Sequence, residues 1–146
     1  MAGKDCTMCR STATADNGFG VRILEGEYAD VYLQRRTPLP GYCIAIWKQD
    51  HVAEADDLDA VTASGYWNEV MRAGRAIRML FEPAKLNYLT LGNAVPHLHT
   101  HILPRYIGDP APGRPLPWEL VESAPPIPDG EFERQCRELG RLTNSF

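Results

Sequence analysis

From His97 to His101 every second residue is a histidine, within the run His97-Leu98-His99-Thr100-His101-Ile102-Leu103. Successive side chains of a β-strand point to opposite faces, so this spacing predicts a strand with three imidazoles on one face and Leu98, Thr100 and Ile102 on the other. A neutral imidazole donates through one nitrogen and accepts through the other, so such a row can relay hydrogen bonds and aim one unprotonated nitrogen outward. Two chemistries use a row of this kind. Alternate strand positions can present imidazoles to one zinc or iron ion, or a single ring can attack phosphorus or a carbonyl while its neighbours fix its tautomer. The local sequence does not choose between them.

The surroundings of the run set the fold class. Tyr28 to Arg35 and Gly41 to Trp47 are rich in β-branched and aromatic residues, and Thr-Pro-Leu-Pro between them starves a sheet of donors, so two antiparallel strands are expected. Lys85 to Leu91 alternates, Gly92-Asn93 punctuates it, and Val95 to Arg105 resumes as an extended run, giving a second hairpin-like pair. Between the pairs, apolar residues from Leu58 to Leu80 recur at three- and four-residue steps, predicting a long helix started by Asp56 and Asp57 and stopped by Pro83. Gly108 to Pro128 holds seven prolines and reads as a crossing segment. Asp129 then opens a shorter helix over 129–142 carrying Phe132, Cys136, Leu139 and Leu142. The expected class is α+β: an antiparallel sheet of about five strands with one long and one short helix.

At 146 residues the chain makes one domain, 1–146, long enough to bury its own core. A net charge of −4 supplies no basic field for duplex nucleic acid, so a nucleic-acid scaffold is not expected. The longest apolar stretch, Tyr42 to Trp47, is far short of a membrane span, and residues 1–10 hold no apolar run suited to export. A cytoplasmic protein without membrane partners is the expectation. Cys43 and Cys136 read as small buried apolar residues. Cys6 and Cys9 form a Cys-x-x-Cys too close to Met1 for the strand that precedes a redox pair, and as thiolates they can supply two corners of a tetrahedral metal site.

The run from His97 to Leu103, preceded by Gly92-Asn93-Ala94-Val95 and followed by Pro104-Arg105, resembles the signature of the histidine triad (HIT) family. The likeness extends over about Asp5 to Tyr106 through Pro40-Gly41-Tyr42, His51 and Asn87, and points toward zinc-containing bacterial HIT hydrolases of the dinucleoside polyphosphate type. It implies a hydrolase or transferase of nucleotides, commonly a homodimer whose sheets join across the interface.

Position by position, the resemblance makes His99 the nucleophile toward an α-phosphorus and places His101 near the departing group. It assigns Asn93 to a phosphate oxygen, Asn87 to the binding site, Gln34 to the ribose and Arg105 to a distal phosphate. Ala94 stands where a Ser or Thr is frequent, so a hydroxyl contact to the leaving group is missing. Some relatives bind structural zinc, and the matching ligands here are Cys6, Cys9, His51 and His97, with residues 1–10 as the zinc-binding segment. Two other readings stand beside this one: a nucleotide-binding module with little turnover, and a hydrolase in which His97, His99 and His101 hold one catalytic ion. Trp118 in the Pro-rich segment either covers a neighbouring pocket or buries itself.

Overall fold

The structure is a computed structural model that describes residues 5–146. Its centre is a five-stranded antiparallel sheet, with β1 (Gly20–Glu25), β2 (Ala29–Gln34), β3 (Cys43–Trp47), β4 (Lys85–Leu89) and β5 (His99–Arg105) in the order β1-β2-β3-β5-β4. Helices α2 (Ala60–Phe81) and α4 (Asp129–Thr143) pack on one face, while two short helices, α1 (Thr7–Ser11) and α3 (Trp118–Glu122), lie outside this layer. The fold is therefore α+β. No helix among the described residues is long and apolar enough to cross a membrane.

Paired residues of neighbouring strands share a face. Register sets Tyr32 opposite Ile44 and Ile44 opposite His101, with Asp30, Ile46 and His99 making the adjacent row. That face carries the chemistry. The opposite face contributes Val31, Leu33, Ala45, Trp47 and Ile102, which bury against Tyr66, Val70, Ala73 and Ile77 of α2 and Phe132 and Leu139 of α4. Each such aliphatic side chain contributes on the order of 2 kcal/mol through area removed from water. Thr100 also points into this apolar layer, and its hydroxyl is satisfied there by Tyr66 Oη at 2.7 Å and Thr90 Oγ1 at 2.8 Å.

The long helix starts later than its acidic residues suggest. Asp56 and Asp57 lie in a 3-10 turn, Leu58 is extended, and it is Asp59 whose carboxylate caps the helix by accepting from the Thr62 N–H at 2.9 Å. A left-handed Glu82 ends it before Pro83. Midway along α2, Glu69 reaches back to the β1–β2 turn and accepts from the backbone N–H groups of Glu27, Tyr28 and Ala29 at 2.6, 3.0 and 2.6 Å. One carboxylate thus ties helix to hairpin.

Strand β1 was not among the expected strands, although Val-Arg-Ile-Leu between Gly20 and Gly26 carries its signal. The Pro-rich segment is a strap rather than a loose crossing. It leaves β5 and lays Ala111 and Leu116 over Tyr42 and Leu103 on the histidine face. It then forms α3 and is held at Arg35 to Thr37, where Ile127 N–H donates to Arg35 O at 2.8 Å and Thr37 N–H to Pro125 O at 3.1 Å. From there α4 returns to the helix layer.

Candidate active site and metal cluster

His99 opens β5, the strand between β3 and β4, and is buried together with His101. The His99 Nδ1 lies 2.6 Å from the carbonyl oxygen of His97. A carbonyl can only accept, so the ring proton sits on Nδ1, and the neutral ring must carry its lone pair on Nε2. The backbone alone therefore prepares a nucleophilic nitrogen.

The rings of His99 and His101 are 5.0 Å apart and nearly perpendicular. His101 is stacked against Tyr42, whose hydroxyl lies 2.7 Å from His101 Nδ1, and it meets the edge of Trp118 at 5.0 Å. Burial, with the charge of a protonated His99 adding to it, pushes His101 down to about 4, so the ring is neutral at pH 7. The consequence for stability has a definite sign. An unfolded histidine titrates near 6.5, so between about 6.5 and 4 the unfolded chain binds more protons, and the folded state loses stability as pH falls through that window. The full effect is about 3 kcal/mol at 1.36 kcal/mol per pH unit. Urea unfolding of wild type and His101→Gln checks it: their stability difference should shift by about that amount in favour of the variant between pH 7.5 and pH 4, and parallel pH profiles would contradict it.

His97 does not continue the row. It precedes the strand, and its ring lies against His51 at 5.2 Å, with Nε2 at 2.7 Å from the Trp47 carbonyl. By the same reasoning that carbonyl holds the proton on Nε2 and leaves Nδ1 as a free donor atom. His97 Nδ1 then faces Cys6 Sγ at 3.5 Å and Cys9 Sγ at 3.4 Å, while His51 Nδ1 is 3.3 Å from Cys9 Sγ. The expectation of three imidazoles sharing one face is corrected accordingly: two remain on it, and the first joins a separate cluster. One ligand atom from each of Cys6, Cys9, His51 and His97 lies within 4.8 Å of the others. Burial and the adjoining Cys6 raise the Cys9 thiol above its ordinary value, so a pair of thiolates here needs a cation to offset their charge.

The remaining expected site residues part company. Gln34 is buried on the histidine face beside a cleft of about 400 Å³ lined also by Phe19, Arg36, Tyr42 and Val121. Asn87 pairs with Leu103 on the same face, and Asn93 is exposed on the loop leading to the triad. Arg105 is different. Its guanidinium donates to both carboxylate oxygens of Asp109 at 2.7 and 2.9 Å, to Asn87 Oδ1 at 3.0 Å, and to the carbonyls of Arg114 and Ala111, each at 2.7 Å. All five N–H donors of an arginine are then spent, and none is left for a distal phosphate. Its observed work is to pin the strap, and the same guanidinium holds Asp109 well below the usual carboxylate range. Sequence reasoning also passed over Tyr42 as a partner of His101; its place directly after Gly41 marks a turn but does not reveal a contact with a strand 59 residues away. A larger groove of about 870 Å³ runs along β4 and residues 105–115, but no histidine lines it.

Comparisons with known proteins identify the fold and its family. A family model of the HIT domain matches residues 20–108. Protein hit of Bacillus subtilis is 30% identical over 108 residues, which cover 70% of this chain and 72% of that one. Among solved structures, a histidine triad protein from Bradyrhizobium japonicum superposes with a TM-score of 0.76 at 27% identity, covering 86% of this chain and 91% of its own. A Zn-bound histidine triad family protein from Mycobacterium smegmatis gives a TM-score of 0.69 at 23% identity, covering 99% of this chain and 96% of its own. The chain belongs to the histidine triad family.

Proposed function

We propose that this protein is a hydrolase or transferase of nucleotides that cleaves a phosphoanhydride or phosphoramidate at the α-phosphorus through a nucleotidyl-His99 intermediate. The observation that carries the reading is the 2.6 Å contact between His99 Nδ1 and the His97 carbonyl, which leaves Nε2 as the nucleophilic atom. In the first step the Nε2 lone pair bonds to phosphorus and the bond to the leaving group breaks, its electron pair departing with that group. The His97 carbonyl steadies the positive charge that develops on the ring, and His101 gives its ring proton to a leaving atom that departs as an amine, whereas a phosphate leaves as a stable anion and takes only a hydrogen bond. In the second step a water oxygen bonds to phosphorus, the phosphorus–Nε2 pair returns to His99, and the water proton passes to His101 where that ring has given one up, otherwise to solvent. Gln34 reaches the ribose, while Asn93 and the amide nitrogen of Asn87 contact phosphate.

The Cys6, Cys9, His51 and His97 cluster fits structural zinc. A tetrahedral ion with Zn–S near 2.3 Å and Zn–N near 2.0–2.1 Å separates sulfur from nitrogen by about 3.5 Å, and three of the four S···N pairs here lie at 3.3 to 3.5 Å, with all four ligand atoms within 4.8 Å of one another. The Zn-bound relative supports the same choice of ion. Such an ion would supply cross-linking, and His97 would pass its rigidity to His99 through the carbonyl. A catalytic ion held by all three triad histidines is disfavoured by the turn of the His97 ring toward the Trp47 carbonyl and the cysteines. The second copy of a homodimer would add to the free edge of β4, where Tyr88, Leu91 and Ile107 are exposed. A panel of dinucleoside polyphosphates and nucleoside phosphoramidates, assayed with wild type and His99→Ala, tests the function: wild-type turnover that the variant lacks supports it, and a wild type that binds nucleotides without cleaving any would favour the binding-module reading.

A further inference from the structure

Gly41 adopts a φ of +92°, and a side chain there would meet the Phe81 ring at 2.8 Å, so the chain turns sharply into Tyr42 at this point. Tyr42 is buried with its ring parallel to that of His101, at an interplanar angle of 17° and a centroid distance of 5.9 Å. Ala111 and Leu116 of the strap cover it, and the Trp118 ring meets His101 nearly perpendicular at 5.0 Å. The pair has little freedom to rearrange.

A tyrosine hydroxyl can donate or accept, and the 2.7 Å contact with His101 Nδ1 does not by itself fix the direction. The surroundings do. Among the described residues the Tyr42 hydroxyl has His101 as its one hydrogen-bond partner. Were His101 to donate from Nδ1, the hydroxyl proton would be buried with no acceptor, at a cost of roughly 1–3 kcal/mol. Burial also raises Tyr42 far above the ordinary phenol value, so the proton stays on the oxygen. The hydroxyl therefore donates, Nδ1 accepts, and the His101 proton sits on Nε2.

We infer that Tyr42 is a positioning residue that locks His101 in the Nε2–H tautomer and so aims a hydrogen-bond donor at the leaving group. The inference rests on the reaction proposed for His99, and it adds a rule about substrates: the protein handles poorly stabilised leaving groups, such as alkylamines, only while Tyr42 holds this tautomer. A wrong tautomer at a histidine in an intact site can cost orders of magnitude in rate.

Two measurements on the zinc-loaded protein test it. Tyr42→Phe keeps the ring and its packing and removes only the hydroxyl. With a nucleoside phosphoramidate of an alkylamine its kcat should fall about 10- to 100-fold, up to the lower end of the roughly 10²–10⁴-fold supplied by a positioned proton donor itself, while a p-nitrophenyl ester of the same nucleotide, whose leaving group needs little help, should change by no more than about twofold. Equal losses on the two substrates, or no loss on either, would overturn the assignment. Independently of any activity, 15N NMR of the wild-type His101 ring at neutral pH should show a protonated Nε2 and an unprotonated Nδ1; the reverse pattern overturns it. Failure of the proposed reaction would appear separately, as a wild type inert toward the two substrates.

Discussion

Replacing His99 by alanine is expected to lower kcat/KM for a cleavable nucleotide by roughly 10⁴-fold or more, the scale seen when a covalent nucleophile is removed. The size follows from the geometry. His99 Nε2 is the one lone pair of the triad prepared by a carbonyl partner and not turned toward the cysteines, so no neighbour can take over the attack. His101 sits beside it, but its Nδ1 is occupied by Tyr42. Binding should survive, because Gln34 and the cleft beside Tyr42 lie on other strands and are untouched. Folding should survive too, since among hydrogen bonds the variant leaves only the His97 carbonyl without its partner, at roughly 1–3 kcal/mol. Kinetics with a titration of a non-cleavable nucleotide separate these effects; a variant that still turns over within tenfold of wild type would remove His99 from the chemistry.

The second large effect concerns the metal cluster. Cys6→Ala with Cys9→Ala, or prolonged chelation, should remove one equivalent of zinc and lower the melting temperature by about 10 °C or more, corresponding to several kcal/mol at roughly 3 °C per kcal/mol for a domain of this size. Isolated zinc peptides owe about 10–16 kcal/mol to the metal, but here the sheet and α2 hold a core without it, so a partial loss is expected. The N-terminal segment keeps other ties, as the Tyr32 hydroxyl shares its one proton between the carbonyls of Ser11 and Thr14, 3.0 and 2.8 Å away. Proteolysis at Arg10 should therefore accelerate while the rest of the chain stays resistant. Metal analysis and thermal melts check this, and a cysteine variant that retains its zinc would return the ion to the triad histidines.

Which parts of this arrangement could be read from the sequence follows from the range of the forces involved. The strand period of 2 is local, so His99 and His101 share a face as their spacing says. His97 escapes that rule because Pro96 and a turn-like contact from His97 N–H to Val95 O hold it outside the strand, and the pull of Trp47, Cys6 and Cys9 comes from residues 50 to 91 positions away. Arg105 reads in the sequence as a free guanidinium because two of its five hydrogen bonds go to backbone carbonyls of a strap whose path no periodicity encodes, and a third to Asn87 on another strand. Asp109, four residues on, was the one hint available. The helix start shows the same limit at short range: Asp56, Asp57 and Asp59 are equally good caps by type, and only the extended Leu58 decides among them. Tyr42 was quoted as part of a motif, but its bond to His101 spans 59 residues and needs the β3–β5 pairing to be seen.

The intermediate itself offers the most direct test. Wild-type protein mixed with a slowly cleaved nucleoside phosphoramidate and quenched within milliseconds, under alkaline conditions that preserve phosphorus–nitrogen bonds, should gain the mass of one nucleotidyl group on the peptide containing His99, and should lose it as turnover completes. A protein that releases product while its His99 peptide stays unmodified at every time point, or that carries the group on His101, would contradict the account.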